Sequence, residues 1–409
     1  MPVADVRFVA DLYPRKTPSD EMIGRYQDVI DQLPPITVAR DGVLVDGYHR
    51  WQAHLRAGAE SIAVEHLGDL TDVEILNESI RRNATHGQQL TRDDKRANAE
   101  RLWPGLGQDD RIGFLADLLG VSRRTVEQWT QDVRKAERDR VKAEAWDRWL
   151  NCETQEAIAD TIGEKQQTVS DWLTGFRKAA RSGKPPDPQM AWDVWQYGQY
   201  KGDNDRFGKM HPGVVDNLLW LYTESDQIVV DPFAGAGTTI ERAKAIGRRV
   251  WASDLSSAAE YPLLPIHTHD ITTGWPDDAP RKANLILLDP PYWMQAAGRY
   301  SDDPADLGNM PLDEFMAAWS STVKVCAEHV DAGGHIAFIV SPAQVGTLAS
   351  GHVVDLAHLM YNAAEAAGLT CERRIIVPYS TQQATGQQLD AAREHRKLLK
   401  LYRDLVVLR

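Results

Sequence analysis

Asp289, Pro290, Pro291 and Tyr292 close the apolar run 285–288 and place a carboxylate, a rigid carbonyl and an aromatic ring side by side. The two prolines fix the backbone, so the Pro290 carbonyl points one way, and the group offers hydrogen-bond acceptors beside a flat apolar face. Open parallel sheets gather their ligands at the carboxyl ends of strands, which is where this array falls. A second string, DPFAGAGTT from Asp231 to Thr239, puts an acid and two glycines between a strand at Ile228 to Val230 and a helix. Gly235 and Gly237 let the backbone turn tightly and approach a ligand, and the helix behind them offers unpaired amides, an arrangement suited to a nucleotide-like molecule. Alone, a Gly-x-Gly is often an ordinary tight turn, and an Asp-Pro-Pro-Tyr occurs on ordinary strand ends. Their order along one strand-and-helix alternation makes them a pair.

Together the two strings resemble the DNA amino-methyltransferase family, whose first motif reads DPFxGxGTT, matched from Asp231 to Thr239, and whose fourth is matched by Asp289 to Tyr292. The resemblance implies S-adenosylmethionine as cofactor, with Asp231, Phe233, Gly235, Gly237, Thr238 and Thr239 around its methionine and ribose portions. Upstream, GKMHP from Gly208 to Pro212 is similar to the family's tenth motif, which sets His211 and Pro212 over the methionine end; a plain turn accounts for it equally. Asp254 ends the next strand about 20 residues beyond the glycines, where a carboxylate can accept from ribose hydroxyls. A solvated strand-end acid is the alternative. Asp270 falls where the family's following strand brings a residue near the adenine, and a surface carboxylate is again the plainer account.

Exocyclic amines of adenine and cytosine are poor nucleophiles because their lone pairs delocalise into the ring. By the resemblance, the Asp289 carboxylate and the Pro290 carbonyl accept the amine protons and localise the pair, while Tyr292 stacks on the base. A base inside a duplex must first be flipped out, and an aromatic face partly replaces its lost stacking. The reaction is then an in-line displacement on the sulfonium methyl carbon. Methylation at cytosine C5 is set aside, since the Pro-Cys pair it requires is absent. Asp at the first position is commoner in adenine N6 enzymes and Ser in cytosine N4 enzymes, which favours N6 and keeps N4 as second choice. The motif order resembles the gamma-type arrangement, in which a target-recognition domain follows the fourth motif. The chain departs from it: only the loop Trp293 to Pro311 and the polar stretch Ser380 to Arg396 are available, so part of the specificity is expected in the N-terminal half. Within the latter, TQQATGQQ from Thr381 to Gln388 carries amides able to pair with adenine edges, or forms a flexible polar loop.

From Pro35 the sequence reads as strand, tight turn, strand, a helix from about His49 to Ala57 stopped by Gly58, and another strand. It resembles the ParB and sulfiredoxin-like fold, which implies that Gly47, His49 and Arg50 lie at a helix N-terminus able to hold phosphate, and makes a nucleoside triphosphate a candidate second ligand. A structural strand-to-helix turn explains the same residues. Tyr48 stands where sulfiredoxins carry their cysteine, so that redox activity is not expected. Arg81 and Arg82, in ESIRRN, match a second ParB motif or are solvated helix charges. Two further pieces, from Ile112 to Thr130 and from Thr154 to Leu173, show the glycine turn and apolar spacing of a helix-turn-helix. Their second helices carry Ser122, Arg123, Arg124, Thr125 and Gln128 in the first copy and Lys165, Gln166, Gln167, Thr168 and Ser170 in the second, a chemistry of phosphate and base contacts. Helical packing without DNA is the alternative; Arg134, Lys135, Arg138, Arg140 and Lys142 nearby favour double-stranded DNA.

The elements that must position these residues follow from periodicity. Helices are expected at Glu74 to Arg82, Thr91 to Leu102 and Arg138 to Leu150. Beyond a proline-rich linker at 181–188, short apolar runs alternate with helices: strands at Ile228, Val250, Leu285 and Ile336, helices at Leu312 to His329 and Val353 to Ala366. The fold class is therefore multidomain α/β: a small ParB-like α/β domain over 1–70, an all-helical region with two helix-turn-helix segments over 71–180, and over 189–409 a Rossmann-like methyltransferase sheet with helices on both faces.

The 409 residues carry a formal net charge of −13, so any DNA contact must come from local patches rather than from the overall field. Three cysteines, Cys152, Cys326 and Cys371, are too few for a disulfide framework and too far apart for a metal-ligand pair, so no metal is expected and a reducing cytoplasm is. No basic, apolar leader opens the chain and no apolar run reaches the ~18 residues of a membrane span. A dimer is left open. Two other functions remain beside the leading one: a ParB-type nucleotide-dependent partition or regulatory protein, and a methyltransferase acting on RNA or protein.

Overall fold

Short apolar runs that are buried on both sides make strands, and their order fixes where a site can form. The computed structural model describes residues 1–15, 19–85, 90–107, 109–181, 191–198, 210–255, 261–294, 305–346, 350–379 and 385–409. By packing, the chain divides into Met1–Arg140 and Val141–Arg409. Of the expected linker 181–188, only Arg181 lies among the described residues, at the end of a helix.

The first unit holds α1 (Asp20–Gln27), β1 (Ile36–Val38), β2 (Leu44–Asp46), α2 (Tyr48–Arg56), β3 (Val64–His66), α3 (Asp72–Thr85), α4 (Arg92–Leu102), α5 (Arg111–Leu119), α6 (Arg123–Trp129) and the start of α7 (Gln131–Leu150). Its small sheet runs β2-β1-β3, with β1 antiparallel to β2 and parallel to β3. Gly47 takes φ of 98° at the N-cap of α2, a left-handed turn that a side chain would resist. α5 ends on Gly120 at φ 60° and α6 starts three residues later, so Leu115, Leu119, Val126 and Trp129 meet in one helical core.

The second unit continues with α8 (Gln155–Ile162), α9 (Gln166–Arg181), α10 (Pro212–Tyr222), β4 (Ile228–Asp231), α11 (Thr238–Ala245), β5 (Arg249–Asp254), β6 (Ile266–Thr268) and β7 (Ala283–Leu288). After these come α12 (Leu312–His329), β8 (Val330–Val340), β9 (Ala343–Val345), β10 (His352–Val354), α13 (Leu356–Ala366), β11 (Cys371–Pro378), α14 (Gly386–Glu394) and β12 (Tyr402–Leu408). Seven strands form one sheet in the order β11-β12-β8-β7-β4-β5-β6. β4 to β8 run parallel, and β12 is antiparallel to both of its neighbours. Alternate residues feed two cores. Val230, Ile286, Leu288, Phe338 and Val406 pack against Phe315, Trp319 and Met360 of α12 and α13, while Val229, Leu285, Leu287, Ile339 and Leu405 pack with Val215, Leu218 and Ile240 of α10 and α11. The unit is a Rossmann-like sheet with helices on both faces.

The helix expected from Val353 begins instead at Leu356, because Asp355 caps it, accepting from the His358 amide at 3.1 Å, and the preceding residues pair with β9. Neither β11 nor β12 was expected as a strand. β11 is an edge strand whose Arg373 and Arg374 interrupt its apolar pattern, and β12 opens on Tyr402, Arg403 and Asp404 before its apolar run begins. Among the described residues, no helix is long and apolar enough to cross a membrane.

Candidate active site

β4 and β7 are neighbours from which the sheet is built outward in opposite directions, so a crevice opens at their carboxyl ends. Asp231 ends β4 and Asp289 follows β7. Asp231 is buried and accepts from the Phe233 amide at 3.0 Å and from the Thr239 hydroxyl. Burial nevertheless pushes its carboxyl up to about 7, and the charge of Asp254 adds to the rise. Asp289 is likewise raised to about 7, first by burial and also by Asp231, while the Arg403 guanidinium works against the rise. Two carboxyls thus face one crevice in an environment that disfavours their charge.

The glycine loop between β4 and α11 closes this crevice from one side. Gly235 and Gly237 take φ of 48° and 77°, and the Gly235 amide donates to Asp254 at 2.9 Å, tying the end of β5 to the loop. A Cβ on Gly237 would stand 2.5 Å from Leu264 Cδ1. Thr238 and Thr239 open α11 and are buried. Asp270 caps a short helical turn, accepting from the amide and hydroxyl of Thr272 at 2.9 and 2.7 Å. His211 caps α10 through Nδ1, which accepts from the Gly213 amide at 3.1 Å, and Pro212 follows as the first helical residue. The His211 ring stacks on Tyr197 at 4.5 Å, and burial together with the Arg403 charge holds its pKa down. Gly208 and Lys209 of the expected tenth motif, and Thr381 to Thr385 short of its last residue, lie outside the described residues.

Tyr292 donates its hydroxyl to Asp289, and Arg403 on β12 donates to the Tyr292 oxygen. The phenol is raised far above its ordinary range by burial and by Asp289. Burial opposes the charge of Arg403, yet Tyr292, Tyr379 and Asp289 together outweigh it and its pKa is raised. Its guanidinium also lies 5.1 Å from the centre of the Tyr379 ring, and its buried Nε has no hydrogen-bond partner. Arg403 and Tyr379 were missed in the sequence. The single local signal is a charged pair at the mouth of the apolar run 405–408. Pro290 is buried and Pro291 half-buried beside this network.

The residues at the crevice fit S-adenosylmethionine: two carboxyls that a cation would relieve, a carboxylate at a strand end suited to hydroxyls, and a left-handed glycine loop before a helix N-terminus.

The other expected sites lie on the helical elements and in the first unit. Ser122 caps α6, accepting from the Thr125 amide at 3.1 Å, and exposed Arg123 forms a bidentate pair with Asp110 at 2.7 Å, leaving Arg124 and Gln128 on the exposed face. On α9, Gln166 and Gln167 are exposed, Thr168 is half-buried, and Gln167 bonds Asp171 at 3.0 Å. In the first unit His49 accepts from the Ser19 amide at 2.9 Å, while Arg50 pairs with Asp46 and the Pro35 carbonyl, each at 2.7 Å.

Residues 128–261 match the sequence profile of the DNA methylase family of N6/N4 methyltransferases. Over that stretch the chain is similar to the N6/N4 DNA methylases. The match includes the glycine loop and Asp254 and stops before Asp289. No curated protein matches the chain in sequence. Among solved structures, TrmN from Thermus thermophilus is 17% identical over 48% of this chain and 48% of its own, with a TM-score of 0.31. A putative DNA modification methylase, also from Thermus thermophilus and complexed with S-adenosyl-L-methionine, is 13% identical over 34% of this chain and 51% of its own, at 0.25. The C-terminally truncated chromosome-partitioning protein ParB from Caulobacter crescentus, complexed to the centromeric parS site, is 25% identical over 32% of this chain and 68% of its own, at 0.23. The chain thus spans about half the length of the two Thermus proteins.

Proposed function

We propose that this chain transfers a methyl group from S-adenosylmethionine to the exocyclic amine of a base extruded from double-stranded DNA, adenine N6 ahead of cytosine N4. The observation that carries the reading is the meeting of Asp231 and Asp289 at the ends of adjacent strands, with Tyr292 and Arg403 bonded into the same cluster. When bound, the cofactor supplies an electrophilic methyl on a sulfonium. Asp231, Phe233, Gly235, Gly237, Thr238, Thr239 and Asp254 hold it, with His211 and Pro212 at its methionine end and Asp270 near its adenine.

The incoming amine takes over the Asp289 oxygen that the Tyr292 hydroxyl now occupies, and the Pro290 carbonyl accepts its second proton. Both contacts draw the nitrogen lone pair out of the ring and toward the methyl group. Tyr292, still held by Arg403, presents its ring to the base. As the nitrogen becomes cationic, Asp289 can take its surplus proton, since its carboxyl titrates near neutrality. α6 and α9 position duplex DNA. The first unit binds a nucleoside triphosphate at Gly47, His49 and Arg50, where a phosphate would displace Asp46 from Arg50. The reducing cytoplasm suits three free cysteines, of which Cys326 is buried.

The test is to incubate the full chain with mixed-sequence duplex DNA and S-adenosylmethionine, digest to nucleosides and search for methylated bases by mass spectrometry. N6-methyladenine supports the reading, and N4-methylcytosine corrects the base. Absence of both alongside measurable cofactor binding would overturn DNA as the acceptor.

A further inference from the structure

β11 and β12 are antiparallel neighbours whose last pair is Pro378 with Tyr402, closed by the Tyr379 amide donating to the Leu401 carbonyl at 2.7 Å. The chain from Tyr379 to Leu401 therefore leaves and re-enters the sheet at one place. That place is the carboxyl end of the parallel strands, since Asp404 lies opposite Val340, the last residue of β8. Both feet of the excursion join the acidic cluster: Tyr379 lies beside the Arg403 guanidinium, and Arg403 bonds Tyr292.

The described part of the excursion is fixed locally by the bonds of α14 and tied to the end of β8 farther on. α14 starts with a capping box between Thr385 and Gln388 and closes with the Lys397 amide donating to the Ala392 carbonyl at 2.9 Å. Farther on, Lys400 Nζ donates to the Pro342 carbonyl, just past the end of β8. Between α14 and Lys400, the residues Arg396, Lys397 and Leu398 stand in solvent, Leu398 with 96% of its surface exposed. In a chain with a net charge of −13, the run 393–403 holds five cationic side chains against the single acid Glu394.

A leucine held almost wholly in water gains nothing in the free protein, because apolar surface is stabilised only when it is removed from water. Cations flanking an apolar tip suit a duplex from which one base has been removed: phosphates neutralise the charges, and the gap in the stack accepts an apolar wedge. We propose that Arg396 and Lys397 contact the phosphates of duplex DNA beside the extruded base and that Leu398 occupies the place the base has left. This rests on the reading of the crevice as the acceptor site, and commits that site to a duplex.

The test has two arms on the full chain. In the first, binding of a fluorescent mixed-sequence DNA duplex is followed by anisotropy across salt concentrations. Arg396→Glu with Lys397→Glu should weaken binding more than tenfold and reduce the slope of log K against log salt by about 2, close to the loss of two phosphate contacts at ~0.9 each. Arg281→Glu, an exposed charge reversal two residues before β7, should leave both unchanged. An unaltered slope in the double variant overturns the phosphate contacts, and equal binding of an RNA duplex, weakened in the same way, overturns the assignment to DNA. In the second arm Leu398→Ala should lower methylation of intact duplex at least tenfold while sparing a duplex of the same sequence opened by mismatches. Equal loss on both overturns the wedge. If the unaltered protein methylates no nucleic acid, the reading of the crevice fails; if it methylates duplex and the variants match it, this inference alone fails.

Discussion

Asp231 and Asp289 are held in a crevice that disfavours their charge, with Arg403 acting on Asp289 in the other direction. Because Asp289 must be ionised to accept the amine protons, turnover should rise as pH passes through about 7. Removing a cation that lowers this pKa moves the rise upward, so Arg403→Met should shift the half-maximal pH of kcat/KM higher by about one unit, and Arg403→Lys should restore part of it. A structural role alone would lower the rate equally at every pH. Stability follows the opposite sense. The carboxyl titrates at about 7 when folded against 3.8 as its ordinary value, so folding disfavours its charge. That penalty is absent below 3.8, grows as pH climbs toward 7 and is constant above. Asp289→Asn removes it, and at pH 8 the variant should melt several degrees above the unaltered protein, at ~2–4 °C per kcal/mol for a domain of this class. The gap should close by pH 4. A variant melting lower than the parent at pH 8 would contradict the environment assigned to Asp289.

The glycine loop between β4 and α11 places the first carboxyl and the helix N-terminus in register. Gly237 combines φ of 77° with a neighbour, Leu264 Cδ1, only 2.5 Å from where a Cβ would sit. Gly237→Ala should therefore cost at least the ~1–2 kcal/mol of a left-handed alanine and displace the loop from Leu264. Calorimetric titration should find S-adenosylmethionine binding weakened more than tenfold; unchanged affinity would separate the loop from the cofactor. This element was legible in the sequence because everything that defines it is local: an apolar strand, an acid, two glycines and a helix in one run. The same holds for Asp289 to Tyr292, and for α12, whose amphipathic period alone gives its bounds. β12 was not legible. Its pairing with β8, and hence the approach of Arg403 to Tyr292, is set by partners far away in sequence, and the polar opening Tyr402 to Asp404 hides the apolar run behind it. β11 was lost for the related reason that an edge strand needs only one apolar face. The start of α13 was misplaced because the apolar Val353 and Val354 suit a helix by period, and only their pairing with β9 turns them into strand.

On the scale of the whole molecule, an acidic chain divides between α7 residues 140 and 141, so α8 and α9 pack within the same unit as the seven-stranded sheet. The chemistry of that packing is specific. The Trp149 indole donates to Asp226 at 2.6 Å, and the guanidinium groups of Arg177 and Arg249 lie 4.6 and 3.8 Å from the centre of its ring. Arg177 also pairs with Asp226 at 3.0 Å, and Lys244 of α11 pairs with Asp147 at 2.5 Å. A Cβ on Gly247 would come within 2.7 Å of the Ala180 methyl of α9, so the turn before β5 is shaped to receive that helix. Arg249 and Asp226 stand at the amino ends of β5 and β4, opposite the crevice, and the helices there brace the sheet from the end that carries no carboxyl cluster. A fragment starting at 191 would leave Arg249 and Asp226 without Trp149 and Arg177, exposing one apolar face and a buried cation together. With cation–π contacts worth about 0.5–2 kcal/mol and a charged hydrogen bond about 1.5–3, the fragment 191–409 should melt on the order of 10 °C below the fragment 141–409. Differential scanning calorimetry of the two fragments decides it. Equal melting would mean that α8 and α9 only lie on the sheet, whereas a large gap makes them part of the body that holds the crevice open, and Trp149→Ala in the longer fragment should then reproduce much of the loss.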